Sequence, residues 1–102
     1  MPRMADGNEL SDANLDELMR ALSHPARRRI LAMTLEQRMA AGAIVEALGL
    51  PGATVSEHLK VLRKTGLTIQ ERDATWRYYR ANSELLGAVV ARLNRLKERG
   101  AP

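Results

Sequence analysis

Gly49-Leu50-Pro51-Gly52-Ala53-Thr54-Val55-Ser56-Glu57-His58-Leu59-Lys60-Val61-Leu62-Arg63-Lys64-Thr65-Gly66 is the stretch on which the reading of this chain turns. Val55, Leu59 and Leu62 recur at helical spacing and give the segment one apolar side. Gly49 and Gly66 are stop signals, because glycine accepts the left-handed angles that follow a helix. Leu50-Pro51-Gly52 makes a short turn. Before it, Met39 to Leu48 reads as a shorter helix with Ile44, Val45 and Leu48 inward. Two short helices joined by Gly49-Leu50-Pro51 form a helix-turn-helix candidate. The second helix then presents Ala53, Thr54, Ser56, Glu57, Lys60 and Lys64 outward. A protruding helix fits the major groove of duplex DNA, where base edges carry a readable donor and acceptor pattern. Thr54 and Ser56 are short hydroxyl groups suited to bases or phosphates. Lys60, Arg63 and Lys64 suit backbone contacts.

Outward from that unit the period changes. Leu67 to Arg72 alternates, which predicts a strand with Leu67, Ile69 and Glu71 on one face. Asp73-Ala74-Thr75 fits a turn, and Trp76-Arg77-Tyr78-Tyr79-Arg80 a return strand. Arg72, Thr75 and Arg77 at the tip are placed to follow the minor groove or phosphates. The aromatic residues also admit base stacking of the single-strand type; for Tyr78 and Tyr79 the preferred reading is one ring in the core and one at the rim. A first helix, capped by Ser11 or Asp12, carries Leu15, Leu18, Met19 and Leu22. Pro25 opens a second, with Ile30, Leu31, Met33 and Leu35 inward. Arg27, Arg28 and Arg29 oppose that helix's dipole and would be eased by a nearby anion such as phosphate. Asn82 or Ser83 caps a last helix bearing Leu85, Leu86, Val89, Val90, Leu93 and Leu96. That stripe is too wide for a lone terminal helix.

At 102 residues the chain fits one domain, expected over 12–98 between tails at 1–11 and 99–102. Apolar residues are 45% and charged residues 27%, a composition that folds. With no cysteine and only His24 and His58, disulfides, thiolate sites and a histidine-rich metal site are excluded within one chain. No metal and no cofactor are expected. The net charge of +4 is unevenly spread. Residues 51–80 hold Lys60, Arg63, Lys64, Arg72, Arg77 and Arg80 against Glu57, Glu71 and Asp73, which suits a polyanion. No apolar run nears the roughly 20 residues of a membrane span. Met1 to Leu10 has no leader-like apolar stretch, so a cytoplasmic, membrane-free protein is expected. Catalysis is not expected: there is no glycine-rich phosphate loop, and Ser56 near His58 has no acid partner in register.

Three segments in order then carry a resemblance: Ala21-Leu22-Ser23-His24-Pro25-Ala26-Arg27-Arg28-Arg29-Ile30-Leu31, Thr54 to Leu67, and Trp76-Arg77-Tyr78-Tyr79. Over roughly residues 12–97 the chain resembles the ArsR family of winged helix-turn-helix repressors. The resemblance implies a mainly α fold with a β-hairpin wing, in the order α-α-α-α-β-β-α. It implies a homodimer through the first and last helices, with Leu15, Leu18, Met19, Leu22, Leu86, Val89, Val90 and Leu93 at the interface. It also implies repression at a two-fold operator on double-stranded DNA, released by a signal that in the metal-independent branch is a small molecule, a protein inducer or nothing. Three positions depart from the family pattern. Pro51 stands where a capping serine is common, Gly52 where a base-reading side chain is common, and Glu57 where a polar contact is common. Glu57 either accepts from a cytosine amino group or, by slight preference, pairs with Lys60 or Lys64. The metal-sensing branch places cysteines on the third helix or histidines on the last. Here only Glu46, Glu84 and Glu98 stand on those helices, so the resemblance is to the metal-independent branch. His58 is counted with the DNA-facing residues but reads more as a helix-packing or phosphate-contacting group, and His24 as support for the entry to the second helix. The competing reading is a winged helix that docks a protein instead of DNA.

Overall fold

Ser11 opens the first helix, its Oγ accepting the Asn14 N–H at 3.1 Å, so α1 runs Asp12–Leu22. This is the start of a computed structural model that describes residues 10–100. Residues 1–9 and 101–102 lie outside the described residues, and with them most of the N-terminal tail expected over 1–11 and the end of the one expected over 99–102. Leu10 is buried, and its carbonyl accepts a 2.6 Å hydrogen bond from Arg92, which also pairs with Asp12. That arginine ties the entry of α1 to the last helix.

Pro25 occupies the first turn of α2 (Pro25–Glu36), where its missing N–H costs nothing. Ile30, Leu31 and Thr34 are its buried residues, and Thr34 returns its hydroxyl to the Ile30 carbonyl at 2.8 Å. Leu35, expected inward, is exposed; Ile30, Leu31 and Thr34 fill the side of the helix that meets the core. α3 (Ala41–Leu48) and α4 (Gly52–Lys64) follow. Gly49 between them adopts φ +65°, the left-handed angle that ends α3. The third helix begins at Ala41 and not at Met39. Met39 instead exchanges two backbone hydrogen bonds with Tyr79, at 3.0 and 2.8 Å, and lies as a third partner beside the hairpin.

The hairpin is β1 (Thr68–Asp73) and β2 (Trp76–Ala81), antiparallel, with Asp73 opposite Trp76 across the Ala74-Thr75 tip. Its faces follow from the register. Thr68, Gln70 and Arg72 share one face with Ala81, Tyr79 and Arg77; Ile69, Glu71 and Asp73 share the other with Arg80, Tyr78 and Trp76. Leu67 is fully buried but precedes the strand, so Ile69 does not continue its face and is exposed. The expected grouping of Leu67, Ile69 and Glu71 is corrected for that reason. Asn82 closes the hairpin: its N–H reaches the Leu67 carbonyl at 2.8 Å and its side chain the Gly66 carbonyl at 3.0 Å. Its Oδ1 then accepts the Leu85 N–H at 3.1 Å, capping α5 (Ser83–Gly100).

One core joins these elements. Ile30, Ile44, Val55, Leu62 and Leu67 are fully buried at its centre, with Leu18, Leu59, Leu85 and Val89 around them. Leu18 and Val89, expected at a dimer interface, are 4% and 3% exposed within the single subunit. They are already covered by their own chain and have no surface to give a partner. Removing Leu62, which pins α4 to this core, should destabilise the fold by about 2–5 kcal/mol. Urea denaturation of Leu62→Ala measures this; a loss under about 1 kcal/mol would show that α4 is held by something else.

Candidate nucleic-acid interface

The three buried residues of α4, Val55, Leu59 and Leu62, fix which side of the helix faces out. At 100° per residue the opposite side carries Ala53, Glu57, Lys60 and Lys64. All four are exposed, as are Thr54, Ser56 and Arg63. Thr54 and Ser56 stand two residues apart and so leave the helix on opposite flanks. Ser56, with Glu57, Lys60, Arg63 and Lys64, lines an open cleft of about 590 Å³ whose apolar floor is Ala41, Val45, Val55, Leu59 and Tyr79. Thr54 lies away from it. α4 starts without a side-chain cap because Pro51 has no acceptor, and it ends with Arg63 and Lys64 favourably placed at the negative end of the helix dipole.

Some cations are matched, and those on the outward side of α4 are not. Among the described residues the ion pairs are Arg38 with Glu71 and Asp73, Arg80 with Glu71, and Arg92 with Asp12. Lys60, Arg63 and Lys64 have no carboxylate partner in that set. Glu57 does not form the pair with Lys60 or Lys64 expected of it; its side chain borders the cleft instead. On the wing, Arg72 lies directly opposite Arg77 on the face that also carries Tyr79. Like charges directly across a strand pair repel, and an anion bridging them would relieve that. Thr75 and Trp76 at the tip are exposed.

His58 stands apart from this set. Its Nδ1 accepts a 3.1 Å hydrogen bond from Arg27 Nε, and its ring lies 5.7 Å from that of His24. The side chain thus turns back to α2 and does not join the outward face. Burial, then the charges of Arg27 and His24, hold its pKa below the ordinary histidine value, so the neutral ring is favoured. Arg27 and Arg28 also donate to carbonyls at the end of α1, Arg28 to Leu22 at 2.8 Å and Arg27 to Ala21 at 3.5 Å. The negative end of α1 therefore meets two of the three arginines for which an outside anion was expected. Arg29 is exposed. No group of three or more histidine, cysteine, aspartate or glutamate side chains converges among the described residues, and no helix there is long and apolar enough to cross a membrane.

A buried helix-turn-helix frame with an outward basic helix and a charged hairpin defines a winged-helix nucleic-acid-binding domain. Comparison with known proteins agrees. The family described as a helix-turn-helix domain matches residues 22–71. The transcriptional repressor SmtB of Mycobacterium tuberculosis is 35% identical over 82 residues, 80% of this chain and 60% of SmtB. This chain thus spans about three fifths of that relative's length. The transcriptional activator HlyU of Vibrio cholerae is 30% identical over 88 residues, 86% of this chain and 82% of HlyU. The homodimeric winged helix-turn-helix domain of Mb0332 from Mycobacterium bovis, described as a possible ArsR-family regulator, superposes with a TM-score of 0.68 at 26% identity, over 89% of each chain. The chain belongs to the ArsR family of winged helix-turn-helix transcriptional regulators, which are not enzymes.

The geometry at His58 sets a pH dependence. Its folded pKa is depressed, so the unfolded chain takes up the proton first as pH falls. The stabilisation from the neutral, hydrogen-bonded ring is full above 6.5 and is lost as the pH drops through the lower folded value. An NMR titration of the His58 ring should show a midpoint below 6.5; a midpoint at or above it would show that the ring is not held partly buried beside Arg27 in solution.

Proposed function

We propose that this chain is a sequence-specific, double-stranded-DNA-binding repressor that acts as a homodimer on a two-fold operator. The observation that carries the reading is the run of cations without carboxylate partners. Lys60, Arg63 and Lys64 on α4, with the opposed Arg72 and Arg77 on the wing, form one basic set that phosphate would complete. In this reading α4 enters the major groove. Ala53, Thr54, Ser56 and Glu57 meet base edges, the lysines and arginines meet phosphate, and Thr75 follows the wing along the backbone. His58 keeps α4 in place from behind. Repression is proposed by analogy with the repressor SmtB, 35% identical; the activator HlyU, 30% identical, carries the alternative. A dimer seated on a promoter represses by occupying it. Metal is not the signal in this proposal, since the chain has two histidines and no cysteine and a tight transition-metal site needs several nitrogen or sulfur ligands. The signal is then a small molecule, a partner protein or none.

Dimerisation is supported by the homodimeric state of Mb0332 and by apolar side chains that the subunit leaves uncovered. Met19, Val90, Leu93 and Leu96 are exposed, Val90 at 56% and Leu96 at 68%. Leu15, Leu22 and Leu86 are half-buried beside them and contribute their remaining surface. Leu93→Glu should therefore sediment as a monomer; a variant that stays dimeric would move the interface elsewhere.

Binding to duplex DNA should weaken steeply with salt as counterions are released. Lys60→Ala or Arg77→Ala should weaken it on all sequences and flatten the log–log salt slope by about one unit each. Ser56→Ala should cost about 1–3 kcal/mol on the selected site and much less on random DNA. Salt-independent association with a protein, and none with DNA, would favour the protein-docking reading. Transcription from a promoter carrying the selected site separates repression from activation.

A further inference from the structure

The wing carries two carboxylates, Glu71 and Asp73, on a hairpin whose proposed task is to meet phosphate. Both point to the face opposite Arg72 and Arg77, and both are met there by Arg38 from the α2–α3 connection. One guanidinium nitrogen lies 2.8 Å from Asp73 and the other 3.6 Å from Glu71. The guanidinium also lies over the Tyr78 ring, 4.3 Å from its centre. Arg80 takes the second oxygen of Glu71 at 3.0 Å. The neighbouring Met39 is locked to Tyr79 by two backbone bonds, so Arg38 projects from a fixed point. Only an arginine fork can span two carboxylates and stack on a ring at once.

We infer that Arg38 is a positioning residue for DNA binding: it braces the wing and masks the Glu71 and Asp73 charges, so that Arg72 and Arg77 meet phosphate unopposed. This rests on the proposal that the wing binds DNA. Of the two carboxylates, Glu71 keeps Arg80 when Arg38 is lost, but Asp73 has Arg38 alone as its ion-pair partner among the described residues. Asp73 sits at the wing tip, opposite Trp76. Unmasked, it adds a negative charge close to the phosphates and frees the hairpin to swing.

The test uses the full chain and a random-sequence duplex of about 30 base pairs, because the masking effect is independent of sequence. Binding is read by fluorescence anisotropy of labelled DNA over a salt series. Arg38→Ala should weaken affinity about three- to tenfold at low salt, with the deficit shrinking as salt rises. Adding Asp73→Asn to Arg38→Ala should restore most of the loss. Arg38→Lys, which keeps the charge without the fork, should lose less than Arg38→Ala. Thermal unfolding of each variant checks that the fold persists, and Arg38→Lys carries the test if Arg38→Ala does not fold. Full affinity in Arg38→Ala overturns the inference. So does a loss that Asp73→Asn fails to restore with a salt slope lower by one, since Arg38 would then touch phosphate itself. Arg77→Ala is the control for the wing. If the wild type does not bind or Arg77→Ala is silent, the DNA reading of the wing falls and this inference with it. If Arg77→Ala weakens binding and Arg38→Ala does not, only this inference falls.

Discussion

Everything outward in this domain depends on the inward stripe of α4. Val55, Leu59 and Leu62 are seated among Ile30, Ile44 and Leu67, and a helix with three positions so buried cannot rotate. Its free side is therefore decided by the core and not by whatever binds there. Because 100° separates successive residues, the choice of Val55 as a core residue is also the choice of Ser56 for one flank and Thr54 for the other. Gly49 and Gly66 bound the element at angles that other residues reach only with strain. The cleft beside α4 follows from the same seating, since α3 packs against one end of the helix and Tyr79 comes in from the wing.

Charge is distributed on two different principles around that frame. At the back of the wing and at both ends of α1, arginines meet carboxylates or carbonyl oxygens: Arg38, Arg80 and Arg92 in ion pairs, Arg27 and Arg28 on the last carbonyls of α1. On the outward side of α4 and the near face of the hairpin they do not. Exposed ion pairs contribute little to stability, so the difference says little about how tightly the domain folds. It does decide where an external polyanion meets an uncompensated potential. The chain's modest net charge of +4 understates that field, because carboxylates outside these ion pairs, such as Asp16 and Glu17 on α1 and Glu98 on α5, are subtracted in the sum.

The elements were legible because each is announced by local chemistry. Ser11 and Asn82 are caps, Pro25 a first-turn residue, and Gly49 and Gly66 stops, and the aromatic run from Trp76 announces the return strand. What the sequence hid was long-range. Met39 continues the apolar run of α3, and only Tyr79, forty residues on, takes its backbone out of the helix. Leu18 and Val89 share the spacing of Met19 and Val90, and nothing local says which of each pair the subunit covers for itself. His58 lies on the motif helix, but its direction is set by Arg27 on another. The carboxylate pairs around Arg38 join a connection to a hairpin over more than thirty residues, and a charged residue in a loop gives no sign of such a partner. A spacing rule reports what lies within a turn or two, and these contacts lie beyond its reach.

The small side chains at the front of α4 have a consequence for how sequence is read. Gly52 and Ala53 offer no polar group beyond the backbone, and Pro51 removes a cap that would otherwise engage the first-turn N–H groups. In the proposed DNA-binding reading the side chains left to distinguish bases are Thr54, Ser56 and Glu57, and Thr54 and Ser56 leave the helix on opposite flanks. Two short hydroxyls and one carboxylate discriminate weakly per subunit, since each good contact is worth about 1–3 kcal/mol. Two copies double the contacts and add the requirement that both half-sites lie at the correct separation. The exposed Val90, Leu93 and Leu96 on α5 and the small side chains at the front of α4 therefore fit together in the proposed reading: a domain that reads few bases per subunit would gain most of its specificity from being held in pairs.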